Sequence, residues 1–134
     1  DDAVSFVELK RDIERHGFGL LTEDEWEYCC GGSCRRLFKW GNQLKRQLFK
    51  KSISPLWKEN MFGLTIANAE FGPELIDNEH YTKGGWLEET HKAPIINLLP
   101  LSSYYRGEGI EDKEKELIPG YYCVRRVIRI DLNG

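Results

Sequence analysis

Long apolar runs are missing from this chain of 134 residues, since no stretch approaches the roughly 18 consecutive apolar residues that a membrane-spanning helix needs. No basic start followed by an apolar segment marks a signal peptide, so we expect a cytoplasmic protein that does not enter a membrane. Histidine is scarce, and the three histidines, His16, His80 and His91, stand far apart. The P-loop and the dinucleotide fingerprint are also absent. The sequence therefore predicts no cofactor.

Excess positive charge is missing as well. The chain has 19 basic and 22 acidic residues and a formal net charge of −3, which excludes a generally basic nucleic-acid coat. Seven basic residues and no acid lie between Arg35 and Lys51. The solvated face of an amphipathic helix is the commoner origin of such a segment. Nucleic-acid binding through residues 35–51 is the alternative, because a basic segment can contact phosphates.

The four cysteines do not form a recognisable framework. Cys29 and Cys30 are adjacent, which disfavours a simple bridge between them, and the chain is not a small, loop-rich domain of the kind that disulfide scaffolds usually form. The run from Cys29 to Cys34 lacks a second ligand pair at zinc-site spacing. We therefore expect no metal, and reduced, mostly buried thiols in a cytoplasmic protein.

The length and composition predict one domain over residues 1–134. A hydrophobic fraction of 40% with 12% aromatic residues is enough for a core of its own. Because the sequence starts at Asp1 and not at Met, we expect it to be part of a longer chain.

Two helices are predicted in the first quarter of the sequence. Apolar residues at helical spacing indicate a helix over about Ala3–His16. Thr22 and Glu25 form a capping box for a second, short helix that ends at Gly31-Gly32. Within this helix, Trp26 and residues 28–30 are expected in the core. Trp40, which follows the helix in the sequence, is expected there as well.

The rest of the sequence is read as short strands and many loops. The apolar spacing over residues 37–56 indicates a further amphipathic helix less clearly, and Pro55 would limit its C-terminal end. Residues 77–82 and 107–116 are expected to be loops, and Tyr121–Leu132 a half-buried strand with one irregular step. Helices followed by short strands indicate the α+β class.

Several short motifs, in order, resemble the formylglycine-generating-enzyme (sulfatase-modifying factor) family. The most specific is Leu20-Leu-Thr-Glu-Asp-Glu-Trp-Glu-Tyr28, which is similar to the family's arginine-leucine-proline-threonine-glutamate-alanine-glutamate-tryptophan-glutamate-tyrosine signature. The others are Phe38-Lys-Trp-Gly-Asn42, Asn60-Met-Phe-Gly-Leu64, Lys83-Gly-Gly-Trp86, Ser103-Tyr-Tyr-Arg106 and Gly120-Tyr-Tyr-Cys-Val-Arg125. The resemblance covers nearly the whole chain but only the C-terminal part of the family domain.

The resemblance implies a C-type-lectin-like fold of short antiparallel strands and long loops. That scaffold carries oxidases as well as binding proteins, so the fold alone does not decide the function. The oxidase members use a cysteine pair after the glycine-glycine-serine motif, whereas Gly84–Pro94 contains no cysteine. The segment Ala67–Phe71 is shifted by at least one position relative to the motif that carries the family's calcium sites. Glu88, Glu89 and His91 lie close together in the sequence and could form an acid–base pair. A solvated loop is the simpler interpretation of these residues.

These observations predict a non-catalytic domain that binds a protein ligand, without catalytic residues. By analogy it would be the sensor module of a larger bacterial, defence-type protein. A divergent oxidase with a non-standard site is the alternative enzyme reading. Aromatic residues and arginine are typical interface anchors. The predicted contact residues are Trp86, Leu87, Glu88, His91, Lys92, Tyr104, Tyr105 and Arg106.

Overall fold

A computed structural model describes residues 4–32, 37–40, 59–60, 62, 64–67, 72–86 and 98–130. Two α-helices come first and four short strands follow, as the sequence predicts for an α+β protein. The elements are α1 (Phe6–Arg15), α2 (Glu23–Cys30), β1 (Glu74–Leu75), β2 (Tyr81–Lys83), a 3₁₀ turn (Leu99–Leu101), β3 (Gly107–Glu108) and β4 (Cys123–Val124).

The four strands form one mixed sheet in the order β3-β2-β1-β4. The pairs β1–β2 and β2–β3 are antiparallel, as expected. However, β4 runs parallel to β1, with Glu74 opposite Cys123, so the expectation of antiparallel strands is wrong for this pair. A parallel neighbour requires a long connection, and nearly fifty residues separate β1 from β4.

Helix α1 confirms the predicted first helix with shorter ends. The Ser5 hydroxyl accepts a hydrogen bond of 3.1 Å from the Glu8 amide and so caps the helix. Phe6 and Ile13 are buried. Their side chains lie on one face because residues seven apart complete about two turns.

Helix α2 confirms the predicted capping box. Glu25 N donates to Thr22 Oγ1 over 3.2 Å, and Thr22 N donates to Glu25 Oε1 over 2.8 Å. Trp26 and Cys30, four residues apart, are fully buried. Tyr28 was expected in the core, but 59% of it is exposed. A residue two positions after Trp26 is rotated by about 200° around the helix, so it faces solvent.

Asn60 closes the C-terminal end of α2. Its side-chain amide donates to the carbonyls of Cys29 and Cys30, which have no partner within the helix. Its Oδ1 accepts from the amides of Phe62 and Leu64. Asn60, the first residue of the motif, therefore caps the C-terminal end of α2.

Three later predictions are wrong in part. Residues 77–82 and 107–116 were expected to be loops, yet β2 begins at Tyr81 and β3 covers Gly107–Glu108, because both segments pair in the sheet. The strand expected over Tyr121–Leu132 is reduced to β4 and an isolated bridge between Val127 and Gly19. Ile130 is 77% exposed, since the chain leaves the sheet after β4. The predicted helix over 37–56 lies outside the described residues, apart from 37–40.

Two packed clusters contribute to the core among the described residues. One joins α1 to the sheet through Phe6, Ile13, Leu20 and Leu75. The other surrounds α2. It contains Leu21, Trp26, Cys30, Ile66, Ala67 and Ile76. Trp40 is only half-buried and stacks on Phe38, with ring centroids 4.7 Å apart. Across the described segments, no helix is long and apolar enough to cross a membrane.

Candidate functional site

Three acidic residues of α2 bind three later parts of the chain. Arg106 donates to Glu23, and Arg129 donates to Glu25 over 2.6 Å. The ammonium group of Lys83 lies 3.1 Å from Glu27. These charge pairs fix segments beside β2, β3 and β4 against one helix and so position the surface between them.

Charged groups buried inside the sheet are paired. Lys83 is fully buried, and its charge lies over the Trp26 ring at 5.3 Å from the centroid. Its cross-strand neighbour Glu74 is also buried and accepts hydrogen bonds from Arg125 at 3.2 and 3.3 Å. Burial raises the pKa of Glu74, and the Arg125 charge opposes that rise. Because each buried charge has a partner, removing one member of the group would leave the other uncompensated in the interior.

A small cavity of about 170 Å³ lies between α2 and these charges. The buried indole N–H of Trp26 lies near the Glu74 carboxyl and acts against the rise in that group's pKa.

A larger cleft of about 310 Å³ opens beside the edge of the sheet. Four aromatic rings line it, and we call it the aromatic cleft. The rings of Trp86 and Tyr121 meet at 67° with centroids 6.4 Å apart, and those of Tyr121 and Tyr122 meet at 77° and 4.8 Å. Trp86 is 40% and Tyr121 42% exposed, so both present ring surface to solvent. The lining residues are Pro73, Thr82, Gly84, Gly85, Trp86, Pro100, Tyr105, Gly107, Glu108, Tyr121 and Tyr122.

Glycines make the close packing around the aromatic cleft possible. Gly72 has a φ of +69°, and a Cβ atom there would lie 2.5 Å from Trp86 Cε2 and Cζ2. The indole of Trp86 therefore sits directly on the Gly72 backbone. On β3, a Cβ atom at Gly107 would lie 2.4 Å from Thr82 Oγ1 and 3.6 Å from the ring of Tyr105. Larger residues at either position would displace a wall of the cleft.

Glu108 is the one charged residue among the described residues that line the aromatic cleft. The pKa of Tyr122 is raised, first by burial, then by the neighbouring Tyr121 and by the Glu108 carboxylate. Glu108 therefore lies close enough to influence the phenol.

The predicted contact residues are divided by the structure. Trp86 and Tyr105 line the aromatic cleft together. Tyr104 is 46% exposed but does not line it. Arg106 is bound to Glu23 and stacks over Tyr81 at 4.4 Å from the ring centroid. Leu87, Glu88, His91 and Lys92 lie outside the described residues, as does Glu89.

Tyr121 and Tyr122 were missed as site residues. They were read as part of a half-buried strand. Both lie just before β4, in a turn and the residue after it, and nothing in the sequence placed the pair beside Trp86.

The described thiols are poorly suited to metal or nucleophilic chemistry. Cys29, Cys30 and Cys123 are free thiols. Burial raises the pKa of Cys30 to about 11 and that of Cys123 to about 12, and burial also raises the pKa of Cys29. Thiols with such values are protonated at neutral pH, whereas ligands and nucleophiles are thiolates. Cys34 lies outside the described residues, among which no group of three metal-ligating side chains occurs.

The alternative sites fall largely in segments that the structure does not describe. Of the seven basic residues in 35–51, Lys39 is described; it is buried, and burial lowers its pKa to about 8. Of the calcium region Ala67–Phe71, only Ala67 is described. Nucleic-acid binding stays a prediction, and the described residues do not test the calcium region.

The chain matches no family model, and no curated protein or solved structure matches it. The resemblance to formylglycine-generating enzymes therefore depends on the sequence motifs alone.

Proposed function

We propose that this chain is a non-catalytic recognition domain that binds a protein partner through the aromatic cleft. The observation that carries the proposal is the convergence of Trp86, Tyr105, Tyr121 and Tyr122 on one partly exposed concave surface. Tryptophan and tyrosine dominate the binding energy of protein interfaces because they bury large areas and lose little conformational entropy. Two of these four residues were predicted from the sequence as contacts.

The chemistry of the described cysteines supports binding over oxidase activity. The family's oxidation of cysteine needs a pair of reactive thiolates, and the motif that would carry them, Gly84–Pro94, has no cysteine. Cys30 and Cys123 belong to packed positions and have raised pKa values. A divergent enzyme would need a different set of residues.

The scaffold is the second part of the proposal. We infer a degenerate formylglycine-generating-enzyme-like, C-type-lectin-like domain that serves as the sensor module of a larger cytoplasmic bacterial protein of the defence type. Each resembling motif that is described has a structural role. The Thr22 capping box places Trp26 in the core, Asn60 seats α2, and Gly84 ends β2 before Trp86.

A peptide library displayed on phage and selected against the chain tests the proposed function. We expect enriched peptides whose affinity falls about tenfold or more when Trp86→Ala or Tyr121→Ala is introduced. Tyr28→Ala is the matched control, because Tyr28 is an exposed aromatic residue outside the cleft. Peptides that bind the Trp86→Ala variant as tightly as the original chain, or no enrichment at all, would contradict the proposal.

A further inference from the structure

We infer that the ion pair of Glu74 and Arg125 positions the aromatic cleft. It sets how two separate segments of the chain meet there, one that carries Trp86 and one that carries Tyr121 and Tyr122. This inference depends on the proposed function, since it concerns the same cleft. It is carried by the register of the sheet, by the bonds of Arg125 and by the short connections from the sheet to both segments.

Glu74 lies between the two strands that lead to the aromatic residues of the cleft. On β1 it is opposite Lys83 of β2 on one side and opposite Cys123 of β4 on the other. Trp86 follows Lys83 by three residues, and the two tyrosines directly precede Cys123. Because paired strands lie only about 5 Å apart, a shift of either neighbour relative to Glu74 moves the cleft residues that are joined to it.

The ion pair and the cleft are on opposite faces of the sheet. Residues that are opposite each other in the register share a face, so Glu74 lies on the face where Lys83 contacts Trp26 of α2. Successive side chains of a strand alternate between faces, and Thr82, the residue before Lys83, lines the cleft. The ion pair therefore acts on the cleft through the strands, as a positioning group, and not by contact with a bound partner.

Arg125 fixes the end of β4 to the middle of the sheet. Its Nε donates to Glu74 Oε2 over 3.2 Å, and its Nη2 donates to Glu74 Oε1 over 3.3 Å and to the Thr65 carbonyl over 2.8 Å. The planar guanidinium group makes these bonds in fixed directions. One residue into β4, the Cys123 amide donates over 3.0 Å to the carbonyl of Pro73, which itself lines the cleft. Losing Arg125 would therefore free β4 to move next to the cleft.

Arg129 offers a matched control because it makes the same kinds of bond elsewhere. It donates to the Leu20 carbonyl over 2.8 Å and to Glu25 over 2.6 Å, so its loss also removes one carbonyl and one carboxylate partner. Those partners belong to α2 and the residues before it, and not to the strands that lead to the cleft.

Nuclear magnetic resonance of the full chain, labelled with ¹⁵N and ¹³C, tests the inference without a known partner. We expect Arg125→Gln to move the Trp86 indole N–H resonance and to weaken the nuclear Overhauser contact between the rings of Trp86 and Tyr121, whose centroids are 6.4 Å apart in the original chain. Arg125→Lys keeps the charge and should restore part of both signals. Arg129→Gln should lower the urea midpoint of unfolding and leave both signals in place.

The protonation of Glu74 gives a readout that a mere loss of stability would not produce. Burial raises the pKa of Glu74, while the charge and hydrogen bonds of Arg125 and then the Trp26 indole oppose that rise. The titratable and charged groups around this carboxyl are Arg125, Lys83, Cys29, Cys30 and Cys123. As the pH falls through the raised pKa, Glu74 loses its charge and Arg125 loses its ionic partner.

The Trp86 indole resonance of the original chain should therefore titrate with a midpoint above 4.5, the ordinary value for Glu74. This titration should be absent from Glu74→Gln. Carboxylates elsewhere titrate in both proteins, so the difference between the two titrations reports Glu74 alone.

An unmoved Trp86 resonance in Arg125→Gln, equal movement in Arg125→Gln and Arg129→Gln, or identical titrations of the original chain and Glu74→Gln would each overturn the inference. If Arg125→Gln does not fold, the original chain still decides, because a Trp86 resonance that does not titrate above 4.5 overturns the inference as well.

Peptides selected from the library separate this inference from the proposed function. They should bind Arg125→Gln about three- to tenfold more weakly than the original chain. If they bind in a Trp86-dependent way and their affinity for Arg125→Gln is unchanged, the proposed function stands and the inference fails. If the resonances move as expected and no peptide is enriched, the proposed function fails and the positioning role of the ion pair stands.

Discussion

Arg106 donates two hydrogen bonds to the Glu23 carboxylate, from Nε to Oε2 and from Nη2 to Oε1, each 2.7 Å long. Two parallel bonds hold both side chains in one plane. The pair connects the first turn of α2 to the segment that enters β3, eighty-three residues later. The arginine that was predicted as a ligand contact therefore also has a role in holding the fold together.

Removing either member of this pair should lower stability. We expect Arg106→Ala and Glu23→Ala each to reduce the urea midpoint of unfolding, with the double variant less unstable than the sum of the two, because they lose the same interaction. Equilibrium urea unfolding followed by circular dichroism measures this. Additive effects would show that the pair does not couple. Arg11→Ala, on the exposed surface of α1, is the control.

Gly72→Ala should destabilise the chain and move Trp86. An added methyl group would meet the indole at 2.5 Å, in a backbone conformation with a φ of +69°. Gly17→Ala is the matched control, because Gly17 has a φ of +84° and nothing within 4 Å of its added Cβ. Both variants carry backbone strain of about 1–3 kcal/mol, and only Gly72→Ala carries the collision as well. A larger loss of unfolding free energy and a shifted Trp86 indole resonance are expected for Gly72→Ala. Equal losses of unfolding free energy in the two variants would mean that the indole of Trp86 does not lie against Gly72.

Lowering the pH should reduce the free energy of unfolding, in part because two carboxylates of α2 become protonated. The Arg106 hydrogen bond lowers the pKa of Glu23, and the Thr22 amide and then Arg129 lower that of Glu25. Their stabilisation is complete above the unfolded value of about 4.5 and is lost as the pH falls through the folded values. Glu74 acts in the opposite direction, because burial raises its pKa.

The variant Glu25→Gln isolates this contribution. Glutamine keeps an oxygen for the Thr22 amide but cannot titrate, so the unfolding free energy should depend less on pH between 3 and 6 than in the original chain. Urea unfolding across that range measures the slope. An unchanged slope would show that Glu25 has the same pKa in the folded and unfolded states.

The buried thiols should resist alkylation in the folded chain. With a pKa of about 11 for Cys30 and about 12 for Cys123, the thiolate fraction at neutral pH is about a hundredfold or more below that of an ordinary thiol. Iodoacetamide labelling, mapped to each cysteine by mass spectrometry, should be slow in buffer and fast in urea. Rapid labelling of either thiol in the folded chain would reveal a reactive cysteine and revive the oxidase alternative.

Local signals in the sequence were the ones that predicted correctly. The capping box at Thr22 and Glu25 and the apolar spacing of α1 act over three to seven residues, so a single sequence contains all the information they need. Tyr28 was misplaced because chemical bulk was taken as burial, although its position on the helix already turned it outward.

Long-range pairing was beyond the reach of the sequence. Glu23 and Glu25 were predicted to suit the helix dipole, and each also binds an arginine far along the chain. No feature of the neighbouring sequence indicates this second role. Likewise, residues 77–82 were read as a loop because they are polar, although Tyr81 and Thr82 belong to β2 and Thr82 pairs with Leu75. Such contacts exist only once distant segments meet.

The sequence by itself determined the two helices, the α+β class and the candidacy of Trp86 and Tyr105. Only the tertiary structure decided that β4 runs parallel to β1 and that Tyr121 and Tyr122 join Trp86 in one cleft. The physical reason is the distance along the sequence between the residues that interact. Helix caps and periodicity depend on neighbours in the chain, whereas a cleft is formed by residues that the sheet and the charges of α2 bring together from far apart.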